Sequence, residues 1–280
     1  MKEFYENRFR FFLPRRTYTL IRIDGKAFHT YTQGLKRPFD EGLIEDMNLT
    51  AAHLCKEIQG AKLAYVQSDE ISVILTDFDD IKTDAWFDHN LQKMCSVAAS
   101  IATAKFNQLR LIRACDDSGG DFRNSMIDDY TIEKFRLAMF DARIFQISNR
   151  EEVINYLIWR QQDATRNSIA SVAQSLYSHN ELNGKNSGEQ QELIFQKGIN
   201  WNDFSSREKR GGVVKKVQTT WALKIDKETQ KPIGVAFEYK VPEEGYVLGL
   251  DHKLFNRSEF STVETPIFSQ DKDFLKNIIP

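Results

Sequence analysis

Thr17-Tyr-Thr-Leu-Ile-Arg-Ile-Asp24-Gly25-Lys26-Ala27-Phe28-His29 and Ala64-Tyr-Val-Gln-Ser68-Asp69-Glu70-Ile-Ser-Val-Ile-Leu75 are the two stretches that decide the fold. In the first, Thr17, Thr19, Ile21 and Ile23 alternate with Tyr18, Leu20 and Arg22, the period of two of a strand. Asp24-Gly25 then breaks the run. In the second, two β-rich segments flank Ser68-Asp69, which predicts a hairpin with its acids at the tip. If these strands are neighbours, Asp24 and Asp69 lie side by side at one sheet edge. Carboxylates paired on rigid strands are what a two-magnesium phosphoryl-transfer site requires.

Working outward, 280 residues with 41% hydrophobic content can bury a sizeable core. The net charge of −2 gives no global pull on nucleic acid, so any such binding rests on local patches. Cys55, Cys95 and Cys115 have no CxxC spacing, which speaks against structural zinc and a disulfide framework. No run of about 18 apolar residues is present, so no membrane span is expected. A cytoplasmic location fits these features.

The N-terminal segment 2–16 carries Arg8, Arg10, Arg15 and Arg16 among Phe and Tyr. It reads either as a solvated arm or as a phosphate-contacting lip beside the acids. Asp40 is a candidate N-cap for a helix to about residue 59, which Gly60 stops. A second helix is expected from near Asp84. The stretch 110–135, with its Asp116–Asp121 run, has a surface-loop composition. Met139 to Phe145 reads as another strand. The resulting order, βαββαβ, is the ferredoxin-like split unit, in which the first and third strands are adjacent.

From Arg150 to about Tyr177 the pattern is helical, with a polar centre in which Arg160, Asp163 and Asn167 share one face. Ser187-x-x-Gln190 resembles a capping box. Residues 205–216 read as a cationic loop carrying Arg207, Lys209 and Arg210, and 217–225 with 233–241 as a hairpin. The expected organisation is a catalytic unit over 1–148 with its basic arm. A helical and C-terminal β region over 149–280 would pack on it and contact RNA.

Asp24 and Asp69 would hold two ions, with the Gly25 carbonyl as a further oxygen ligand. Lys26, His29 and Arg37 are placed to hold phosphate oxygens, and Ser68 to donate a hydrogen bond. Taken singly, Asp24-Gly25 is an ordinary turn and Asp69-Glu70 an ordinary hairpin tip. Their convergence in this strand order is what points to a metal site.

At these residues the chain resembles the tRNA-His guanylyltransferase superfamily. The matching motifs are Arg22-Ile-Asp24-Gly25-Lys26-Ala27-Phe28-His29, Pro38-Phe39-Asp40, Ala64-Tyr-x-Gln67-Ser68-Asp69-Glu70-Ile71-Ser72 and Lys93. Phe140-Asp141-Ala-Arg143, Tyr156-x-x-Trp159-Arg160-Gln-x-Asp163 and Asn200-x-Asn202 continue the series in order. The resemblance implies an α+β fold: a ferredoxin-like polymerase palm with helical additions and a C-terminal β-hairpin region. It implies magnesium-dependent addition of nucleotides to the 5′ end of tRNA in the 3′→5′ sense, with ATP and GTP as substrates. Asp24, Gly25 and Asp69 map onto the metal ligands, and Asp24, Asp69 and Glu70 onto the catalytic acids. Nucleotide contacts map onto Asp24 to His29, Arg37, Ser68, Asp69 and Lys93. Arg15, Arg16, Arg22, Arg143, Arg160, Asn167, Arg207, Lys209 and Arg210 are the candidate tRNA contacts. A homotetramer is implied as well.

Eukaryotic members carry His-Ile-Asn-Asn where this chain reads Thr165-Arg166-Asn167-Ser168. That departure resembles the bacterial and archaeal guanylyltransferase-like proteins, which repair 5′-truncated tRNA. Addition of the extra guanosine to histidine tRNA is the alternative. A palm-type nucleotide cyclase and a non-catalytic RNA-binding module are the remaining readings of the same fold.

Overall fold

A computed structural model describes residues 1–117, 136–226, 229, 237–238 and 252–280. Two compact units emerge, one of Met1–Lys215 with Thr262–Pro280 and one of Lys216–Ser261. In the first, strands β1 (Tyr18–Gly25), β2 (Ala61–Gln67), β3 (Glu70–Leu75) and β4 (Phe140–Ile147) form a sheet in the order β4-β1-β3-β2. β5 (Gly212–Lys224) pairs through its first residues with β2. These pairings are all antiparallel. β1 thus lies between β4 and β3, as the βαββαβ order predicts. In the second unit the rest of β5 pairs with β6 (Phe237–Glu238) and with β7 (His252–Val263). The strand expected over 233–241 lies outside the described residues except at β6.

The helices are α1 (Phe28–Tyr31), α2 (Glu41–Glu57), α3 (Leu91–Asp117), α4 (Arg150–Leu176), α5 (His179–Leu182), α6 (Ser187–Gln196), α7 (Ser206–Arg210) and α8 (Lys272–Lys276). Asp40 caps α2, its Oδ1 accepting the Leu43 amide at 2.7 Å. α3 begins later than expected, because Phe87, Asp88 and His89 take left-handed φ of 51°, 51° and 57°. A continuous helix from Asp84 is impossible through such residues. The box near Ser187 is shifted by one, with Asn186 as cap and Glu189 as its partner. Residues 205–210 are not a loop. Ser205 and Glu208 form a capping box that starts α7.

Both faces of the sheet are covered. Tyr18, Leu20, Leu63, Tyr65 and Ile74 pack on one side against Val153, Ile154 and Leu157 of α4. The next positions on that same face, toward the Asp24 end, are polar: Arg22 and Asp24 on β1, Ser72 and Glu70 on β3. The change from apolar to charged along one face is what places a reactive surface at one end of an otherwise well-packed sheet.

Candidate active site

Asp24 faces Glu70 across β3 and Asp141 across β4 in direct register. Asp69 completes the group from the two-residue turn between β2 and β3, where Ser68 holds φ at 49°. Positive φ at the first central residue is what so short a hairpin demands. Gly25 is required by space. A Cβ there would stand 2.4 Å from the Phe28 ring and 3.0 Å from the Asp69 Cβ. That same closeness shows how near the Gly25 backbone lies to Asp69. Gly25→Ala is therefore expected to cost about 1–3 kcal/mol through overpacking. It should also lower turnover by pushing on Asp69. Urea unfolding and single-turnover rates measure the two effects.

Glu70 is buried, and Arg160 binds it with both arms, Nε to Oε1 at 2.9 Å and Nη2 to Oε2 at 2.7 Å. Arg22 Nε lies 3.6 Å from the same carboxylate. Burial pushes the Glu70 carboxyl up from its usual range, while the Arg160 and Arg22 guanidiniums pull it back. Asp69 is also pushed up, first by burial and further by the charge of Asp24, and among the described residues no cation offsets it. Among the described residues, the cations paired with Asp24 are Arg22 and Arg143, both at 3.8 Å, beyond hydrogen-bond length.

No group of three or more His, Cys, Asp or Glu side chains forms a metal cage among the described residues. Magnesium does not need one, since it keeps waters and takes one or two carboxylates plus substrate phosphates. Asp24 and Asp69 form a hard-oxygen pair of that kind, with the Gly25 backbone close to Asp69 and, among the described residues, no cation against Asp69. The residues fit the ion.

A cleft of about 510 Å³ opens from these acids, between the N-terminal end of α2, the hairpin tip, α4 and α7. Its size suits a nucleotide. Of the residues expected around the substrate, Asp24, Ser68, Asp69, Glu70, Arg160, Asn167 and Arg207 line it. Arg160 does so as the buried, bidentate partner of Glu70. Lys26, Ala27, Phe28, His29, Arg37 and Lys93 do not line it. Phe28 is a core ring, packed on Tyr31, Phe106 and Phe140. Ala27 takes a left-handed φ of 51° at the start of α1, and Lys26 donates its amide to the Met139 carbonyl at 2.8 Å. Lys93 lies over the Phe87 ring at 4.4 Å.

The N-terminal lip is not beside the acids. Arg15 pairs with Asp77 at 3.0 Å and the Arg16 amide donates to Asp77 as well, both before β1 begins. Asp24 is about 20 Å further along that strand at its usual rise. Lys209 donates to the Asn202 carbonyl, and Arg210 lies over the Trp201 ring at 5.9 Å. Ser171 and Gln174 also line the cleft, continuing the face of Asp163 and Asn167 by three- and four-residue steps. That spacing was legible in the sequence.

A family model described as tRNAHis guanylyltransferase matches residues 1–148. The chain belongs to the tRNAHis guanylyltransferase family. It is thereby a nucleotidyltransferase with the family's palm-type fold. The tRNA(His) guanylyltransferase of Eremothecium gossypii is 27% identical over 212 residues, 71% of this chain and 82% of that protein. A bacterial tRNA(His) guanylyltransferase-like protein solved in complex with ATP superposes with a TM-score of 0.74 at 36% identity. The match covers 99% of this chain and 96% of that one. A complex of such a protein with GTP gives 0.70 at 35% identity, covering 99% and 95%. The enzyme from Saccharomyces cerevisiae gives 0.59 at 26% identity, over 76% of this chain and 92% of that one. Among the described residues of this family member, no helix is long and apolar enough to cross a membrane.

Proposed function

We propose that the chain adds nucleotides to the 5′ end of tRNA, using magnesium and the triphosphates ATP and GTP. The observation that carries this reading is the convergence of Asp24 and Asp69 in the lining of a nucleotide-sized cleft, with Gly25 packed close to Asp69. Magnesium bound there supplies the charge neutralisation and oxygen activation that phosphoryl transfer needs. Asp24 and Asp69 hold that charge in place, and Ser68 presents a hydroxyl at the turn. Arg160 fixes Glu70, and through it the β3 end that carries Asp69. Arg22, which also approaches Glu70, and Arg143 on β4 stand 3.8 Å from Asp24, and Arg207 adds a cation to the lining of the cleft. Catalysis of this type is mostly positioning and electrostatics, and these strands supply both.

The names of the relatives favour addition of guanosine to histidine tRNA. One observation favours a second reading, templated repair of 5′-truncated tRNA. Asn167 and Ser168 of the Thr165–Ser168 segment line the cleft itself, and Ser168 stands where His-Ile-Asn-Asn has its last Asn. Ser168 is also committed to structure, its Oγ accepting the Trp201 indole N–H at 3.1 Å. A homotetramer, with the 149–280 half gripping tRNA, belongs to the same proposal.

A paired assay separates the readings. The protein with magnesium and labelled nucleotides is given full-length histidine tRNA and, separately, a 5′-triphosphorylated tRNA lacking its first nucleotide. Guanosine gained by the first substrate supports the guanylyltransferase reading. Template-matched addition to the second, with little on the first, supports repair. Addition to neither, with cyclic or dinucleotide products from triphosphate alone, would replace both by a cyclase. Tight RNA binding without any turnover would leave only a binding module.

A further inference from the structure

Trp159 stands beside the acids but outside the cleft. It sits on α4 one residue before the buried Arg160, yet it is 50% exposed. The Arg160 guanidinium covers one ring face at 4.7 Å. Tyr156 abuts the indole with ring centroids 6.0 Å apart, and is itself fixed. Its hydroxyl is 2.9 Å from Ser72 Oγ, and its ring meets Phe145 edge-on at 5.6 Å. Phe145 and Arg143 are two residues apart on one face of β4. Arg143 in turn reaches toward Asp24 at 3.8 Å and Asp141 at 3.7 Å. The indole is therefore tied through Arg160 to Glu70, which pairs with Asp24, and through Tyr156 to Phe145 of β4, and it keeps half its surface toward solvent. Trp159, Arg143 and Asp141 do not line the cleft on the other side.

A half-exposed indole, clamped from behind by a cation and a hydrogen-bonded tyrosine, is a stacking platform. Base–aromatic stacking is sequence-tolerant, because every base has a flat face. The two sides of Asp24 differ in shape. The cleft has the volume of a free nucleotide, whereas Trp159, Arg143 and Asp141 stand outside it and are each about half exposed, as contact with the end of a polymer requires. We propose that the exposed face of Trp159 stacks the base of the acceptor RNA's 5′-terminal nucleotide and thereby sets the position of that end against Asp24. This rests on the reading given under Proposed function, since it takes the acceptor to be RNA.

The test uses the full-length protein with a 5′-triphosphorylated tRNA that lacks its first nucleotide and carries 2-aminopurine at its new 5′ end. Stacking quenches this base, so the wild-type protein should quench it on binding, a contact read without any substitution. Trp159→Phe should keep most of the quench. Trp159→Leu should lose it and raise KM for the RNA about tenfold, with KM for the nucleoside triphosphate unchanged. Absence of quenching in the wild-type complex overturns the proposal, as does a Trp159→Leu protein with unaltered RNA KM. A rise in the triphosphate KM instead would assign the platform to a free nucleotide and overturn it equally. If the wild-type protein adds nothing to any RNA, the reading under Proposed function fails with it. If addition persists and only the Trp159 variants behave as wild type, this inference alone fails.

Discussion

Asp69→Asn should lower nucleotidyl transfer by at least about 10³-fold, the scale on which a preorganised charge at a phosphoryl-transfer site acts. It should leave the fold intact, or stabilise the metal-free protein slightly. The two effects go together for one reason. The Asp69 carboxylate is half-buried, faces the charge of Asp24 and has no compensating cation among the described residues. It is costly to the fold and is retained where it binds something positive. Substituting an amide of the same shape removes the repulsion and the ligand charge at once. Thermal unfolding should accordingly show magnesium raising Tm for the wild-type protein and having little effect on Asp69→Asn. A variant with normal turnover, or one several kcal/mol less stable, would contradict this account of the residue.

The second large effect is expected at Arg160. Arg160→Met removes the bidentate partner of the buried Glu70 carboxylate and leaves it the longer approach of Arg22, 3.6 Å away. Breaking one side of a buried pair costs about 3–5 kcal/mol where the remaining charge is left uncompensated, and the partial offset by Arg22 places this loss toward the lower end. The double variant Arg160→Met with Glu70→Gln should recover most of that loss, since no bare charge remains. Its turnover should stay well below wild type, because β3 would lose the tie that fixes the hairpin tip. Urea unfolding of the two single variants and the double gives the coupling directly. If Arg160→Met costs less than about 1 kcal/mol, the pair is not the clamp described here.

Much of this arrangement is legible in the residue order. The alternation of Thr19, Ile21 and Ile23 against Leu20 and Arg22 marks β1, and Ser68-Asp69 between two apolar runs marks the hairpin. With the βαββαβ order, these suffice to bring Asp24 to Glu70 and Asp69. The shared face of Arg160, Asp163 and Asn167 is likewise a matter of helical spacing, and all three line the cleft.

What the sequence does not carry is depth and distance. Phe28 lies within a phosphate-binding-type motif, yet its ring belongs to the core with Phe106 and Phe140. Nothing local to residue 28 distinguishes the two fates. Arg160 reads as a surface cation until Glu70 is known to lie beneath it, 90 residues away in sequence. Arg15 and Arg16 are close to Asp24 in the chain but a strand's length away in space, because an extended chain carries eight residues about 25 Å. Ser205 and Glu208 are a different case. Their spacing is that of a capping box, set among Arg207, Lys209 and Arg210, whose charge is equally compatible with an open loop.

The most direct test of the central claim is 5′-end labelling of a triphosphorylated tRNA that lacks its first nucleotide. It is run with the wild-type protein and Asp69→Asn, each with magnesium and with a chelator. The account predicts added nucleotide and released pyrophosphate for the wild-type protein with magnesium, and neither in the other three conditions. Addition that survives the chelator, or that Asp69→Asn performs as well as the wild-type protein, would contradict a metal-dependent transfer centred on Asp24 and Asp69.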